Sequence, residues 1–127
     1  MICYILDDQY GKKIYQWLFQ KSDCIFPIQD NVLNPLHYLD DIEQKRPDYI
    51  FLDNYFPHRT WWREEPLGNE LLQRLLQSWL TSKVICISDY GKRLVDEYDW
   101  WKQWYEQWMV VDFVPSKDPK DLMKILV

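Results

Sequence analysis

Five short apolar runs alternate with longer segments of helical spacing, and few architectures accommodate that alternation. The runs are Ile2–Leu6, Cys24–Ile28, Tyr49–Leu52, Val84–Ile87 and Met109–Val114. Each has strand length and is almost continuously apolar, the pattern of strands buried on both faces. Between them, Tyr10, Ile14, Trp17 and Leu18 share one helical face. Leu72, Leu75, Leu76 and Trp79 share a second, and Leu94, Val95, Tyr98 and Trp101 a third. Asn34 before Pro35 and Asp118 before Pro119 mark helix starts. Each pair sets a side-chain acceptor at the cap and a proline at the first helical position, where its missing N–H costs nothing. The alternation predicts an α/β fold: a doubly wound, five-stranded parallel sheet in the order 2-1-3-4-5, with five helices. A chain of 127 residues has room for one core, so a single domain over residues 1–127 is expected.

Charge and cysteine usage narrow the function classes. The net charge is −5 and no Lys/Arg cluster interrupts it, which argues against direct nucleic-acid binding. No apolar run approaches the roughly 20 residues of a membrane span. The N-terminus enters an apolar run with no basic leader. Cys3, Cys24 and Cys86 lack metal spacing and sit in apolar stretches, where each reads as a small buried hydrophobe. These features together fit a reducing, cytoplasmic setting.

In a parallel sheet the carboxyl ends of all strands meet at one edge, where such folds carry their function. The first run is followed by Asp7 and Asp8, the third by Asp53, the fourth by Ser88, and the fifth by Ser116 and Lys117. Three carboxylates gathered there repel one another, and a hard divalent cation relieves that repulsion. Magnesium suits oxygen donors of this kind. A hydroxyl and an ammonium beside it would neutralise a phosphoryl group in transfer, a step governed by positioning and charge. Singly, each residue reads blandly, as a turn aspartate, a surface serine or a solvated lysine. The combination carries the signal.

With these residues in view, the sequence resembles the receiver domains of two-component response regulators, of the chemotaxis-regulator type, which have a flavodoxin-like fold. "ICYILDD" is similar to the family's first strand and acidic pair, and "PDYIFLDNYFP" to its third strand with the phosphoacceptor. "GNELLQRL" is similar to the start of the third helix, "KVICISDYG" to the fourth strand, and "VDFVPSKDPKDLMKIL" to the fifth strand and helix. The resemblance implies that Asp53 accepts a phosphoryl group from a histidine kinase or phosphotransfer protein. It implies Mg2+ held by Asp8, by Asp7 through water, by Asp53 and by the backbone carbonyl of Tyr55. Ser88 would bind a phosphoryl oxygen, Lys117 would pair with the phosphoryl group, and Phe113 would be the aromatic that switches rotamer. Such a module is not an enzyme in the usual sense.

Four features depart from the family pattern. The loop between Pro57 and Gly68 is longer, and its His58–Pro66 stretch reads as an exposed excursion. The stretch from Ser88 to Lys117 is also longer. With Phe113 aligned on the switch aromatic, Ser116 takes the lysine position and Lys117 follows one residue late. Asp89 stands after Ser88, where a carboxylate opposes a phosphoryl group. The last two support an alternative: a pseudo-receiver that binds partners independently of phosphate. A dehalogenase-type phosphatase fits poorly, since that class separates its two aspartates by one residue, whereas Asp7 and Asp8 are adjacent.

The extra length holds "WWKQWYEQW". Trp100, Trp104 and Trp108 fall on one helical stripe, with Trp101 and Tyr105 beside it. Either these rings enlarge a local core with Trp61 and Trp62, or they form an exposed patch. Tryptophan is enriched at binding hot spots, so the patch reading predicts a surface for a partner or a homodimer. The family's signalling face, its fourth helix with the fifth strand and helix, lies in the same part of the chain.

Overall fold

The computed structural model describes residues 2–7, 23–25, 27, 34–53, 56–57, 64–65, 67–78, 81–87 and 110–114. The elements are β1 (Ile2–Leu6), β2 (Asp23–Ile25), a 3-10 turn (Pro35–Tyr38), α1 (Leu39–Lys45), β3 (Tyr49–Leu52), β4 (Phe56–Pro57), β5 (Glu64–Glu65), α2 (Leu67–Gln77), β6 (Lys83–Ile87) and β7 (Val110–Val114). The main sheet runs β2-β1-β3-β6-β7, with every neighbouring pair parallel. Counting only its strands, the expected order holds. The helical faces expected around Tyr10–Leu18 and Leu94–Trp101 lie outside the described residues, so the expected set of five helices is not traced here.

Strand parity explains why these runs are almost wholly apolar. Successive side chains alternate between faces. Tyr4, Leu6, Ile50, Leu52 and Val84 cluster on one face with Ile42 of α1 and Leu67, Leu71, Leu72 and Leu75 of α2. The other parity, Cys3, Ile5, Phe51 and Ile85, is equally buried. Both faces of β1, β3 and β6 are therefore withdrawn from water. Each large apolar side chain so buried contributes about 1.5–3 kcal/mol of transfer free energy.

α2 is amphipathic at helical period. Leu67, Leu71, Leu72 and Leu75 are buried, and Glu70, Gln73, Arg74 and Gln77 are exposed. The cap read at Asn34 is present: its Oδ1 accepts from Leu36 N–H at 3.0 Å, with Pro35 following. The first turn it caps is 3-10, and the α-helix proper begins at Leu39. α1 ends on Arg46 at φ 46°, ψ 63°, the left-handed region, and its N–H donates to Ile42 O at 2.9 Å. A non-glycine residue there costs on the order of 1 kcal/mol. Pro47 follows and disfavours continuation of the helix.

Three sequence-based expectations need correction. The second strand is Asp23–Ile25 rather than Cys24–Ile28. Pro27 has no N–H for the ladder, which ends before it. Cys24, on this edge strand, is half-buried rather than buried. The stretch His58–Pro66 is not simply an excursion, because β4 and β5 pair antiparallel at its base, Phe56 opposite Glu65 and Pro57 opposite Glu64. Phe56 is fully buried in the α2 core cluster and anchors that base.

Candidate functional site

The direction of each crossover fixes where a ligand crevice opens. From β1 the chain moves outward to β2, then returns past β1 to β3 and onward to β6. Crossovers between parallel strands are right-handed, so the two that advance in one direction set their helices on the same face. The shared cluster of α1 and α2 on the Tyr4–Leu6 face agrees with this. The winding direction reverses between β1 and β3, and such a switch point opens a crevice at the strands' carboxyl ends.

Asp7 and Asp53 flank that crevice. Leu6 and Leu52 are paired in register, so the residues that follow them occupy the next level of the ladder. Asp53 N–H donates to Leu6 O at 3.0 Å, which carries the parallel pairing one step past the strands. Asp7 is 5% exposed and Asp53 fully buried. Removing two carboxylates from water costs several kcal/mol each unless hydrogen bonds or a cation compensate. Neither group is isolated within the fold. Their oxygen donors suit a hard divalent ion such as magnesium, which typically takes one or two carboxylates with water and phosphate oxygens.

The remaining site residues fall unevenly. Asp8, Tyr55, Ser88 and Lys117 lie outside the described residues, as do Trp100, Trp101, Trp104 and Trp108. The chain sets Ser88 directly after the last residue of β6, and β6 borders β3 on the side away from β1, with Leu52 opposite Cys86. Phe113 belongs to β7 and is opposite Cys86 in the β6 ladder. Between β6 and β7 the register shifts: Val84 pairs with Val110, but Ile85 pairs with Asp112. The additional residue, Val111, precedes Phe113. The shift lies before Phe113, and residues 115–117 lie outside the described residues.

Two neighbouring features escaped the sequence reading. One is the depth of Asp53, since an acid closing an apolar run reads as a surface residue. The other is a polar link under β1. The Tyr4 hydroxyl, in the middle of the core face, donates to Asp41 Oδ2 at 2.8 Å, and Lys45 Nζ lies 3.1 Å from Asp41 Oδ1. Burial raises the Tyr4 phenol far above its ordinary value, and the Asp41 carboxylate reinforces this. The hydrogen bond from Tyr4 in turn holds Asp41 below the usual carboxylate range. The i, i+4 spacing of Asp41 and Lys45 signals their pair, whereas nothing local signals Tyr4.

The sequence matches no family model and no curated protein. Solved structures do match the fold. A two-component response regulator of the LuxR family from Aurantimonas sp. SI85-9A1 superposes with a TM-score of 0.62 at 13% identity, over 98% of this chain and 80% of that one. The response regulatory domain of protein mrkE from Klebsiella pneumoniae gives a TM-score of 0.60 at 16% identity, over 99% of this chain and 92% of that one. The sheet order, the switch point between Asp7 and Asp53, and these two structures converge: the chain has the flavodoxin-like α/β fold of response-regulator receiver domains.

Proposed function

We propose that this chain is a receiver module, a single domain over residues 1–127, that accepts a phosphoryl group on Asp53 from a histidine kinase or phosphotransfer protein. The observation that carries the reading is the pair Asp7 and Asp53 at the switch point, one residue past paired strand ends. In this reading Asp53 Oδ attacks phosphorus, the P–N bond to the donor imidazole breaks, and the imidazole leaves with the bonding electron pair. Asp7, Asp8, Asp53 and the carbonyl of Tyr55 would hold Mg2+. When bound, that ion supplies positive charge against the developing phosphoryl charge. Ser88 and Lys117 would bind phosphoryl oxygens, and Phe113 would respond to the state of the site. The signal would leave through the face carrying Trp100, Trp101, Trp104 and Trp108, toward a partner or a second copy.

A second reading, a pseudo-receiver that works without phosphate, has its own support. Asp53 is fully buried, which suits a module that works without a donor at this residue. In the sequence, Lys117 follows one residue late of the family pattern and Asp89 follows Ser88, both of which favour this reading. Tryptophan fluorescence separates the two readings, because eight indoles report on the domain. Under the first, beryllofluoride with Mg2+ changes the spectrum of the wild type and not of Asp53→Asn. No change in either protein favours the second. Among the described residues, no helix is long and apolar enough to cross a membrane.

A further inference from the structure

The opposite edge of the sheet carries a basin that the phosphoryl-transfer reading does not use. Arg46, Pro47, Asp48, Tyr49, Thr81 and Lys83 line an open concavity of about 380 Å³ where β3 and β6 begin. Its floor is fixed by hydrogen bonds. Asp48 N–H donates to Ile2 O at 2.9 Å, and Lys83 N–H donates to Asp48 O at 3.0 Å. Ser82 Oγ donates to Pro47 O at 2.5 Å. Among the described residues of the lining, the carboxylate is Asp48, which accepts from Ile2 N–H at 2.7 Å. The two cations are placed differently: among the described residues, neither the Arg46 guanidinium nor the Lys83 ammonium has a hydrogen-bond or ion-pair partner. Both are exposed in a chain whose net charge is −5.

Arg46 adds an independent observation. It occupies the left-handed position that ends α1, where glycine or asparagine is the relaxed choice. A bulky side chain held there at conformational cost is a reason to look for function. Its backbone position commits the guanidinium root to the basin rim, beside Lys83 and the Thr81 hydroxyl.

We propose that this basin binds an oxyanion of diphosphate type, held by Arg46 and Lys83 with Thr81 as a hydroxyl donor. Guanidinium and ammonium groups on a rigid floor supply charge-assisted hydrogen bonds, and the volume exceeds what a single phosphate needs. The site is remote from Asp53, at the other end of β3, and stands whether or not Asp53 is phosphorylated.

The test is a titration of the whole chain with pyrophosphate, followed by amide chemical shifts, in magnesium-free buffer at constant ionic strength. Without magnesium, the acidic edge around Asp7 and Asp53 repels the same anion. The expected result is a saturable shift of the Thr81 and Lys83 amides. Arg46→Gln and Lys83→Gln each weaken it about tenfold. Arg46→Gly provides the control for folding: it relaxes the backbone, so the melting temperature is unchanged or higher while binding falls by the same factor. A malonate arm separates phosphate from carboxylate recognition, and binding tenfold weaker than pyrophosphate is expected. Equal response to malonate overturns the phosphate assignment. Linear shifts matched by chloride, or undiminished binding in Arg46→Gln and Lys83→Gln, overturn the site itself.

Discussion

At the amino-terminal edge of the sheet, polar groups bind one another: Asp48 takes Ile2 N–H, Lys83 N–H takes the Asp48 carbonyl, and Ser82 closes on Pro47. At the carboxyl-terminal edge, two carboxylates are buried one residue past the paired ends of β1 and β3. Both edges end the same strands, β1, β3 and β6. The first lowers the free energy of the fold with each polar group it holds. At the second, two buried carboxylates that have partners of their own also face like-charge repulsion from each other. In the proposed receiver reading, a bound cation would relieve that repulsion.

The largest way to break this contrast is Phe56→Ala, which empties a fully buried position three residues past Asp53. A loss of about 3–4 kcal/mol is expected by urea unfolding. Amide exchange should quicken at Asp53 first and at Asp48 and Lys83 only on global unfolding. Uniform acceleration would mean that the two edges are not separately organised. Next in size is Asp53→Asn, predicted to stabilise the metal-free protein by about 1–2 kcal/mol by relieving the like-charge repulsion with Asp7. Added magnesium should narrow that gap by binding only the wild type. A destabilised Asp53→Asn would show that Asp53 is a structural acid.

Ser82→Ala is the counterpart at the other edge and carries the opposite sign. It leaves the buried Pro47 carbonyl without its donor, at a cost of about 1–1.5 kcal/mol. No loss would remove the claim that this edge is a stabilising one. The smallest effect belongs to Tyr4→Phe, about 1 kcal/mol from the lost bond to Asp41. Its pH dependence has a defined sign. Asp41 is depressed in the fold, so its contribution is present above the unfolded value of 3.8 and lost as pH falls below it. Tyr4 is raised, so its contribution is present below 10.0 and lost as pH rises beyond that. In Tyr4→Phe both limbs should flatten, and a wild-type-like profile would place the linkage elsewhere.

The sequence carried the sheet further than it carried the site. Tyr49–Leu52 was legible to the residue because an apolar run stops sharply at an acid on a strand buried on both faces. The cap at Asn34 was legible because its acceptor and proline are adjacent. Where the ladder is short or irregular, no periodicity exists to read. β4 and β5 pair only Phe56–Pro57 with Glu64–Glu65, and the register shift at Val111 leaves no mark in composition. The acids at the switch point were legible as a chain-order pattern. Their depth was not, since burial depends on what distant segments cover.

The central claim is that Asp53 is a magnesium-dependent phosphoacceptor, and intact mass after incubation with phosphoramidate tests it most directly. The account predicts one added phosphoryl group on the wild type with Mg2+. Neither the wild type in a chelator nor Asp53→Asn should gain one. Equal labelling of wild type and Asp53→Asn would contradict it, and so would a wild type that takes up no phosphoryl group under any of these conditions.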